Sequence, residues 1–174
     1  MLGRTYENEN CSAARALEVV GERWSLLIVR DAMFRGTTKF SEFQRNLGLA
    51  PNILASRLDA FVQVGLMRAR RYSEHPDHRE YVLTRKGLDL QPAIIALTAW
   101  GDRWAAPEGP PIVYTHEGCG GRIYQRLGCS TCDAVPKPGE IKVRLGPGSR
   151  PVGRRKERSA PHERLEAARA RSAR

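Results

Sequence analysis

Residues 39–64 constrain the fold of this 174-residue chain more than any other stretch. A short amphipathic run, KFSEFQRNL, ends at Gly48, and the turn Gly48-Leu49-Ala50 leads into Pro51. Glycine is favoured in the left-handed conformation that ends a helix, and proline is favoured at the first position of the next helix. The pattern predicts two short helices, over about Lys39–Leu47 and from Pro51 to Gly65, joined by a tight turn.

The second of these helices has two chemically different faces. Four apolar residues fall on one stripe and four polar residues on the opposite one: Leu54, Leu58, Phe61 and Val62 against Asn52, Ser56, Asp59 and Gln63. Two helices of this kind form the helix-turn-helix pattern, whose second helix enters the major groove of DNA. An ordinary helical hairpin without a ligand is the alternative.

Candidate DNA contacts follow from position on this pair of helices. Asn52 and Ser56 lie near the N-terminal end of the second helix, which reaches base edges, and an amide can pair with adenine through two hydrogen bonds. Arg57 lies toward the core edge, so we expect a phosphate contact or an ion pair within the protein. Lys39 and Arg45 are candidate clamps on the DNA backbone, although Arg45 equally fits a solvated surface.

Two runs that favour β-strands, LMRARRY and REYVLT, follow directly and are separated by the polar loop SEHPDH. Helices are also predicted before the pair, over residues 12–20 and 23–34. A winged helix consists of three helices followed by a β-hairpin, and the last three of these four helices fit it, so the predicted fold class is mainly α with a small β-wing. Five hairpin residues carry donors for phosphates or the minor groove: Arg70, Arg71, His75, His78 and Arg79. The two histidines fit solvated loop positions better than ligand positions.

A last helix is predicted after the hairpin. Thr84 can cap a helix that starts at Arg85, and Pro92 interrupts it. Its apolar residues form a larger surface than so small a core can bury: Leu88, Leu90, Ile94, Ile95, Leu97, Trp100 and Trp104. We therefore expect a dimer.

These residues together resemble the HxlR family of winged-helix bacterial transcription regulators, relatives of the MarR type. The resemblance covers about residues 11–104, through Cys11, the run VVGERWSLLIVRDAMFRGTTKFSEFQRNLGLAPNILASRLDAFVQVGLMRARRY and the run REYVLTRKGLDLQPAIIALTAWGDRW. It implies a homodimer built from the first and last helices, which binds a pseudo-palindromic operator with Asn52, Ser56 and Arg57 facing the DNA. The wing tip HPDHREY departs from the shorter proline-arginine turn that family members often have.

Cys11 has its own place in the resemblance. In some family members a cysteine here senses oxidants or electrophiles, which requires exposure and a lowered thiol pKa. The resemblance therefore implies a redox sensor at Cys11. A packed small side chain is the alternative for a cysteine at the start of an amphipathic helix.

A second constellation lies at residues 116–132, which read HEGCGGRIYQRLGCSTC. His116 and Cys119 form one chelating pair, and Cys129 and Cys132 form another after nine intervening residues. Two such pairs, with glycines at the turns, let four donors converge on the tetrahedral geometry of Zn²⁺. We expect a structural zinc in a small zinc-ribbon-like β module, whose hairpin is formed by the linker residues Ile123, Tyr124 and Leu127.

Three alternatives remain for these donors. Cys129 and Cys132 have the spacing of a redox dithiol, although no βαβ pattern surrounds them. Water or His162 can replace His116 as the fourth ligand. A site with a bound water can in principle be hydrolytic, but only Glu117 and Asp133 flank the pairs, so we expect no enzyme.

The charge is concentrated at the end of the chain. Of a net charge of +10, most lies in residues 150–174, which contain nine basic and three acidic residues. With almost no large apolar side chain, this tail is predicted to be disordered or partly helical. It either attracts polyanions by counterion release or serves only as a solubilising tail. The predicted domains are residues 1–106, residues 107–149 and this tail.

No apolar run is long enough to span a bilayer, and residues 1–10 lack the apolar core of a signal peptide. We therefore expect a cytoplasmic protein without a membrane partner. The leading hypothesis is a homodimeric DNA-binding transcription regulator, acting as a repressor of double-stranded operators and released by a small-molecule or redox inducer. The alternative is a zinc-knuckle module that binds RNA or another protein.

Overall fold

The computed structural model describes residues 5–6, 9–71 and 79–149. The backbone forms two units, whose described parts are residues 5–6 with 11–142, and residues 9–10 with 143–149. All the helices and strands of the described residues lie in the first unit: α1 (Ser12–Val20), α2 (Ser25–Phe34), α3 (Phe40–Leu47), α4 (Pro51–Gln63), β1 (Met67–Arg71), β2 (Arg79–Leu83), α5 (Arg85–Leu88) and α6 (Gln91–Trp104). This order confirms the predicted winged-helix arrangement.

The turn between α3 and α4 has the predicted structure. Gly48 adopts the left-handed conformation with φ of 64°, and its amide donates a hydrogen bond of 2.9 Å to the carbonyl of Gln44. An l-residue with a side chain rarely adopts this φ, so glycine here ends α3 at little cost. Pro51 then lies in the first turn of α4. These features fix the angle at which α4 leaves the turn.

The wing is a two-stranded antiparallel sheet with a third segment alongside. Met67 lies opposite Leu83, and the register continues to Arg71 opposite Arg79. The segment before α3 pairs with the other edge of β2, because the amide of Tyr81 donates to the carbonyl of Thr38 at 2.8 Å. The sheet is thereby attached to the helix-turn-helix. The predicted tip, with His75 and His78, lies outside the described residues.

The chain after the wing forms two helices. Thr84 caps α5 as predicted: its hydroxyl oxygen accepts a hydrogen bond from the amide of Gly87 at 3.3 Å and donates one to the carbonyl of Gly65 at 2.7 Å. Pro92 lies in the first turn of α6, where its missing N–H leaves no helical hydrogen bond unmade. The predicted interruption is therefore a break between α5 and α6.

The core lies between α2, α3, α4 and the wing. Its fully buried large side chains come from these elements: Ile28, Val29, Phe43, Leu54, Leu58, Phe61 and Met67. Asp31 is also fully buried, and its carboxylate forms ion pairs with Arg30 at 2.7 Å and Arg35 at 3.4 Å. Helix α6 adds Ile94 and Ile95 to the buried set. This core buries one face of α4 and leaves the other exposed.

Residues 105–149 have a different character. Within this described stretch there is no helix or strand. The backbones of Thr115 and Arg122 form an isolated antiparallel β-bridge. The predicted β-hairpin through Ile123, Tyr124 and Leu127 is wrong: Ile123 donates to the carbonyl of Tyr114, at 2.8 Å, and all three side chains are exposed. The apolar side chains of the linker bury no common face, and its first residues pair with the chain before His116 instead. Among the described residues, no helix has both the length and the apolar character needed to cross a membrane.

Candidate nucleic-acid interface and a cysteine-rich segment

The outer face of α4 is polar and open to solvent. Its four predicted polar residues are all exposed: Asn52, Ser56, Asp59 and Gln63. On the opposite side, Leu54 and Leu58 are completely buried. Ile53, beside Asn52, is 41% exposed although it is apolar. Ile53 was not among the predicted DNA contacts. Its position outside the predicted buried stripe indicates from the sequence alone that it faces solvent.

Arg57 connects α4 to the end of α1. Its guanidinium lies 3.5 Å from the carboxylate of Glu22, and its side chain is 18% exposed. Of the two roles expected from the sequence, the structure contains the ion pair within the protein. A phosphate contact would require this arginine to leave Glu22 or to share its donors.

Helix α3 presents its basic residues differently. Arg45 lies exposed in the last turn, next to the turn that leads into α4. Lys39 precedes the helix and is partly buried, and its amide donates to the carboxylate of Glu42 at 3.3 Å. The backbone of Lys39 also forms an isolated antiparallel β-bridge with that of Glu80 in β2. The lysine is therefore placed where the helix-turn-helix meets the sheet.

The wing carries a row of arginines. Arg70 is exposed but forms an ion pair of 2.8 Å with Glu80 on the neighbouring strand. Arg71 and Arg79 lie directly opposite each other at the end of the described sheet. Like charges directly opposite each other destabilise a sheet, and an anion between them removes that cost. Arg68 is exposed and shares the face of Arg70 by strand alternation, a spacing that could have identified it from the sequence.

Tyr81 lies on the inner face of the wing, close to α4. Its burial raises the pKa of the phenol above the ordinary value of 10.0, and the nearby carboxylate of Asp59 raises it further, whereas Arg79 lowers it. The neutral phenol is therefore the favoured form in the folded protein.

The first chelating pair lies in a tight turn. His116 Nδ1 is 3.3 Å from the sulfur of Cys119. The carbonyl of His116 accepts a hydrogen bond of 2.7 Å from the amide of Gly120. The amide of His116 donates to the carbonyl of Gly121 at 2.8 Å. A Cβ on Gly121 would lie only 3.3 Å from the Cys119 sulfur. Glycine at this position keeps space around the thiol.

The second pair lies in a second turn. The amide of Asp133 donates to the carbonyl of Cys129 at 2.8 Å, and the amide of Cys129 donates to the carbonyl of Ala134 at 2.9 Å. The sulfur of Cys129 accepts hydrogen bonds from the backbone amides of Thr131 and then Cys132, which hold the pKa of the Cys129 thiol below its ordinary value. We call residues 113–135, which contain both turns, the knuckle segment.

The structure brings each pair together but not the two pairs with each other. Among the described residues, no group of three or more histidine, cysteine, aspartate and glutamate side chains lies close enough to share a metal ion. Cys119, Cys129 and Cys132 are exposed thiols. His162, the alternative fourth ligand, lies outside the described residues.

The knuckle segment is attached to the helices on one side. The ring of Tyr114 packs on that of Phe34 in α2, with 4.5 Å between centroids. Arg122 forms an ion pair of 3.7 Å with Asp102 in α6.

Cys11, at the start of α1, is far from the motif in sequence and is also an exposed thiol. In this single chain its environment fits an accessible cysteine rather than a packed one.

The helical region of the chain matches a known protein family. Residues 19–109 match the family described as HxlR-like helix-turn-helix. A Mycobacterium tuberculosis protein described as an uncharacterized HTH-type transcriptional regulator is 44% identical over 148 residues, which cover 84% of this chain and 92% of that protein. YtfH of Escherichia coli, described in the same words, is 34% identical over 53% of this chain and 73% of its own length.

Two solved structures are similar over most of the chain. PA1607, described as a candidate transcription factor, gives a TM-score of 0.72 at 36% identity, and the match covers 81% of this chain and 99% of PA1607. PA1374 of Pseudomonas aeruginosa, described in the same way, gives 0.57 at 36% identity over 81% of this chain and 96% of its own. The mycobacterial alignment of 148 residues is longer than the family match, so the similarity extends beyond residues 19–109.

Proposed function

This chain belongs to the HxlR-like helix-turn-helix family and is a transcriptional regulator of that type, and from this premise we propose that it is a homodimeric repressor of a pseudo-palindromic DNA operator. The observation that carries the proposal is the division of α4 into two faces. Leu54 and Leu58 are completely buried, whereas Asn52 and Ser56 are exposed near the helix N-terminus. That end of a recognition helix reaches base edges in the major groove.

Two kinds of base contact are available on α4. The amide of Asn52 can form two hydrogen bonds with adenine, and the Ser56 hydroxyl can donate or accept. The exposed apolar side chain of Ile53 suits the methyl group of thymine. We propose that α4 reads a half-site that contains an A·T pair near its N-terminal end.

The wing and α3 supply the contacts that do not depend on sequence. Arg71 and Arg79 lie opposite each other with the same charge, and a DNA phosphate between them would relieve their repulsion. Arg68 and Arg45 are exposed and add positive charge on the wing and α3. Arg70 is already paired with Glu80, so we expect it to contribute less to phosphate binding.

The proposed dimer is supported by the exposed apolar surface of α6. Trp100 and Trp104 are 62% and 66% exposed, and Leu97 is exposed as well. Such large apolar side chains on a small protein mark an interface, and a twofold dimer buries the same surface of both chains. Two α4 helices spaced by about 34 Å would then enter successive major grooves.

The proposed mechanism is occupancy of the operator. A bound dimer excludes RNA polymerase, and a small-molecule or redox signal that changes the spacing of the two α4 helices releases it. Cys11 is exposed at the start of α1 and is our candidate for a redox signal. Its oxidation would add bulk and polarity beside the first helix.

Selection of bound duplexes from random DNA by the purified full-length protein tests this function. We expect an enriched palindrome with half-site centres one helical turn apart. Substituting both Asn52→Ala and Ser56→Ala should weaken binding to that duplex by at least about ten-fold. Asp89→Ala, at the exposed residue that directly follows α5, is the control and should bind as the unaltered protein does. Equal binding to single-stranded RNA and to every duplex would contradict the proposal and favour an RNA-binding module.

Light scattering after size-exclusion chromatography tests the dimer. Trp100→Glu should shift the protein toward the monomer mass, because it places a charge in the proposed interface. Val143→Glu, an exposed apolar position in the second unit, is the control and should leave the mass unchanged. A monomer mass for the unaltered protein at micromolar concentration would overturn the dimer.

A further inference from the structure

The knuckle segment has little apolar burial to support its fold. Tyr114 packs on Phe34, but the other large apolar side chains of the segment are exposed: Val113, Ile123, Tyr124, Leu127 and Val135. Segments of this size with so small a core need another source of stability, such as disulfides or a structural metal. Its cysteines are present as thiols. Yet the backbone around both cysteine-containing turns is closely hydrogen-bonded.

The first turn already has the shape of half a zinc site. Two ligands of a tetrahedral zinc, one nitrogen and one sulfur, lie about 3.6 Å apart when the metal bonds have their usual lengths. His116 Nδ1 and the Cys119 sulfur are 3.3 Å apart. The turn positions Gly118 and Gly121 leave room beside both donors, since a Cβ at either would lie 3.3 Å from the histidine ring or the sulfur.

The second turn has the other half. The amide of Asp133 donates to the carbonyl of Cys129 at 2.8 Å, and the amide of Cys129 donates to the carbonyl of Ala134 at 2.9 Å, so the backbone closes a tight turn over residues 129–134. Cys129 and Cys132 both lie in this turn, with two residues between them as in the first pair, so the second turn offers a pair of soft ligands.

We propose that His116, Cys119, Cys129 and Cys132 bind one Zn²⁺ per chain. Three thiols lose their protons to solvent on binding, and the four protein ligands complete the coordination shell. A complete shell leaves no position for a reactive water, so the metal is structural. The ion draws the two turns together. The part of the linker that adjusts is residues 124–128, which lie after the bridge of Thr115 with Arg122 and form no strand.

Zinc binding also has a consequence for the helices. The flanks of the first turn are attached to α2 through Tyr114 and to α6 through Arg122. Arg126 donates to the carbonyl of Asp133 at 3.1 Å, so the linker is tied to the second turn as well. The metal therefore fixes the second turn to a segment that already contacts both helices.

The test measures bound metal in full-length protein purified without chelator. We expect about one zinc per chain, and after exchange with Co²⁺ the visible absorption of a tetrahedral cobalt site with thiolate ligands. Cys119→Ser, Cys129→Ser and Cys132→Ser should each lower the zinc content at least about five-fold. Cys11→Ser is the matched control and should keep the full content. The helical circular dichroism of each variant reports whether the winged helix has remained folded.

The fourth ligand is tested by two histidine variants. His116→Ala should lower the zinc affinity and alter the cobalt spectrum, whereas His162→Ala should change neither. A zinc content that is the same in Cys129→Ser and Cys132→Ser as in the unaltered protein would overturn the proposal. Protein that is purified without chelator, contains no metal and already carries a Cys129–Cys132 disulfide would overturn it in favour of a redox dithiol. A content of half a zinc per chain would overturn the site within one chain.

Discussion

Helix α4 and the knuckle segment obtain their structures in different ways. Helix α4 has a continuous buried stripe, with Leu54, Leu58 and Phe61 against the core. The knuckle segment has exposed apolar side chains and two turns organised around sulfur and imidazole donors. The first region is determined by contacts within the chain, whereas we propose that the second depends on a bound zinc ion. The two regions should therefore respond to different perturbations.

The largest expected difference is the response to loss of an apolar side chain. Leu58→Ala should lower the free energy of unfolding by about 2–5 kcal/mol, because this leucine is fully buried and its removal leaves a cavity. Leu127→Ala, the matched truncation in the knuckle segment, should change it by less than about 0.5 kcal/mol, since its side chain is 60% exposed. Urea unfolding of both variants measures the contrast. Equal losses would break the comparison.

The second expected difference is the response to a chelator. Removal of the proposed zinc should leave the helical circular dichroism nearly unchanged, because the core of the winged helix contains none of the proposed ligands. The backbone amide signals of residues 113–135 in a nuclear magnetic resonance spectrum should broaden or shift, since the two turns separate. Added zinc should restore them. Loss of the helical signal in parallel with zinc would mean that the winged helix depends on the metal as well.

The sequence predicted the first region well because its signals are local. Gly48 and Pro51 mark the turn, and the spacing of Leu54 and Leu58 marks the buried side of α4. The exposure of Ile53 was not predicted, although an apolar residue outside the buried stripe lies on another face of the helix. Arg57 had two expected roles, and the sequence could not decide between them because Glu22 is 35 positions away.

The second region was predicted less well for a physical reason. The spacing of His116, Cys119, Cys129 and Cys132 identifies candidate donors, and each turn indeed holds its pair together. The hairpin expected between the pairs required the alternation of side chains to find a buried face. Tyr124 and Leu127 have no such face. Spacing therefore predicted which residues act together, but not the backbone that connects them.

A third, smaller contrast concerns charge. Arg79→Ala should weaken DNA binding roughly five-fold and reduce the slope of the logarithm of the binding constant against the logarithm of salt by about 0.9, because one phosphate contact is lost. Folding should not be weakened, since Arg79 lies opposite Arg71. Lys142→Ala removes one positive charge outside the winged helix and is the matched control. Fluorescence anisotropy at several salt concentrations measures both. An equal loss in the two variants would mean that only net charge matters.

The smallest contrast is alkaline destabilisation through Tyr81. Its folded-state pKa is raised above 10.0 by burial and by Asp59, so the folded state holds the phenol proton more tightly than the unfolded chain does. The resulting stability is fully present below pH 10 and is lost as pH rises through the folded-state pKa. Tyr81→Phe has no proton to lose. Its urea midpoint should therefore fall less than that of the unaltered protein between pH 8 and about pH 11. Tyr124→Phe makes the same substitution at an exposed ring of the knuckle segment and should follow the unaltered curve, because that ring contributes no buried face to the fold. If both variants flattened the alkaline loss equally, the titration would belong to tyrosines in general and not to the buried face beside α4.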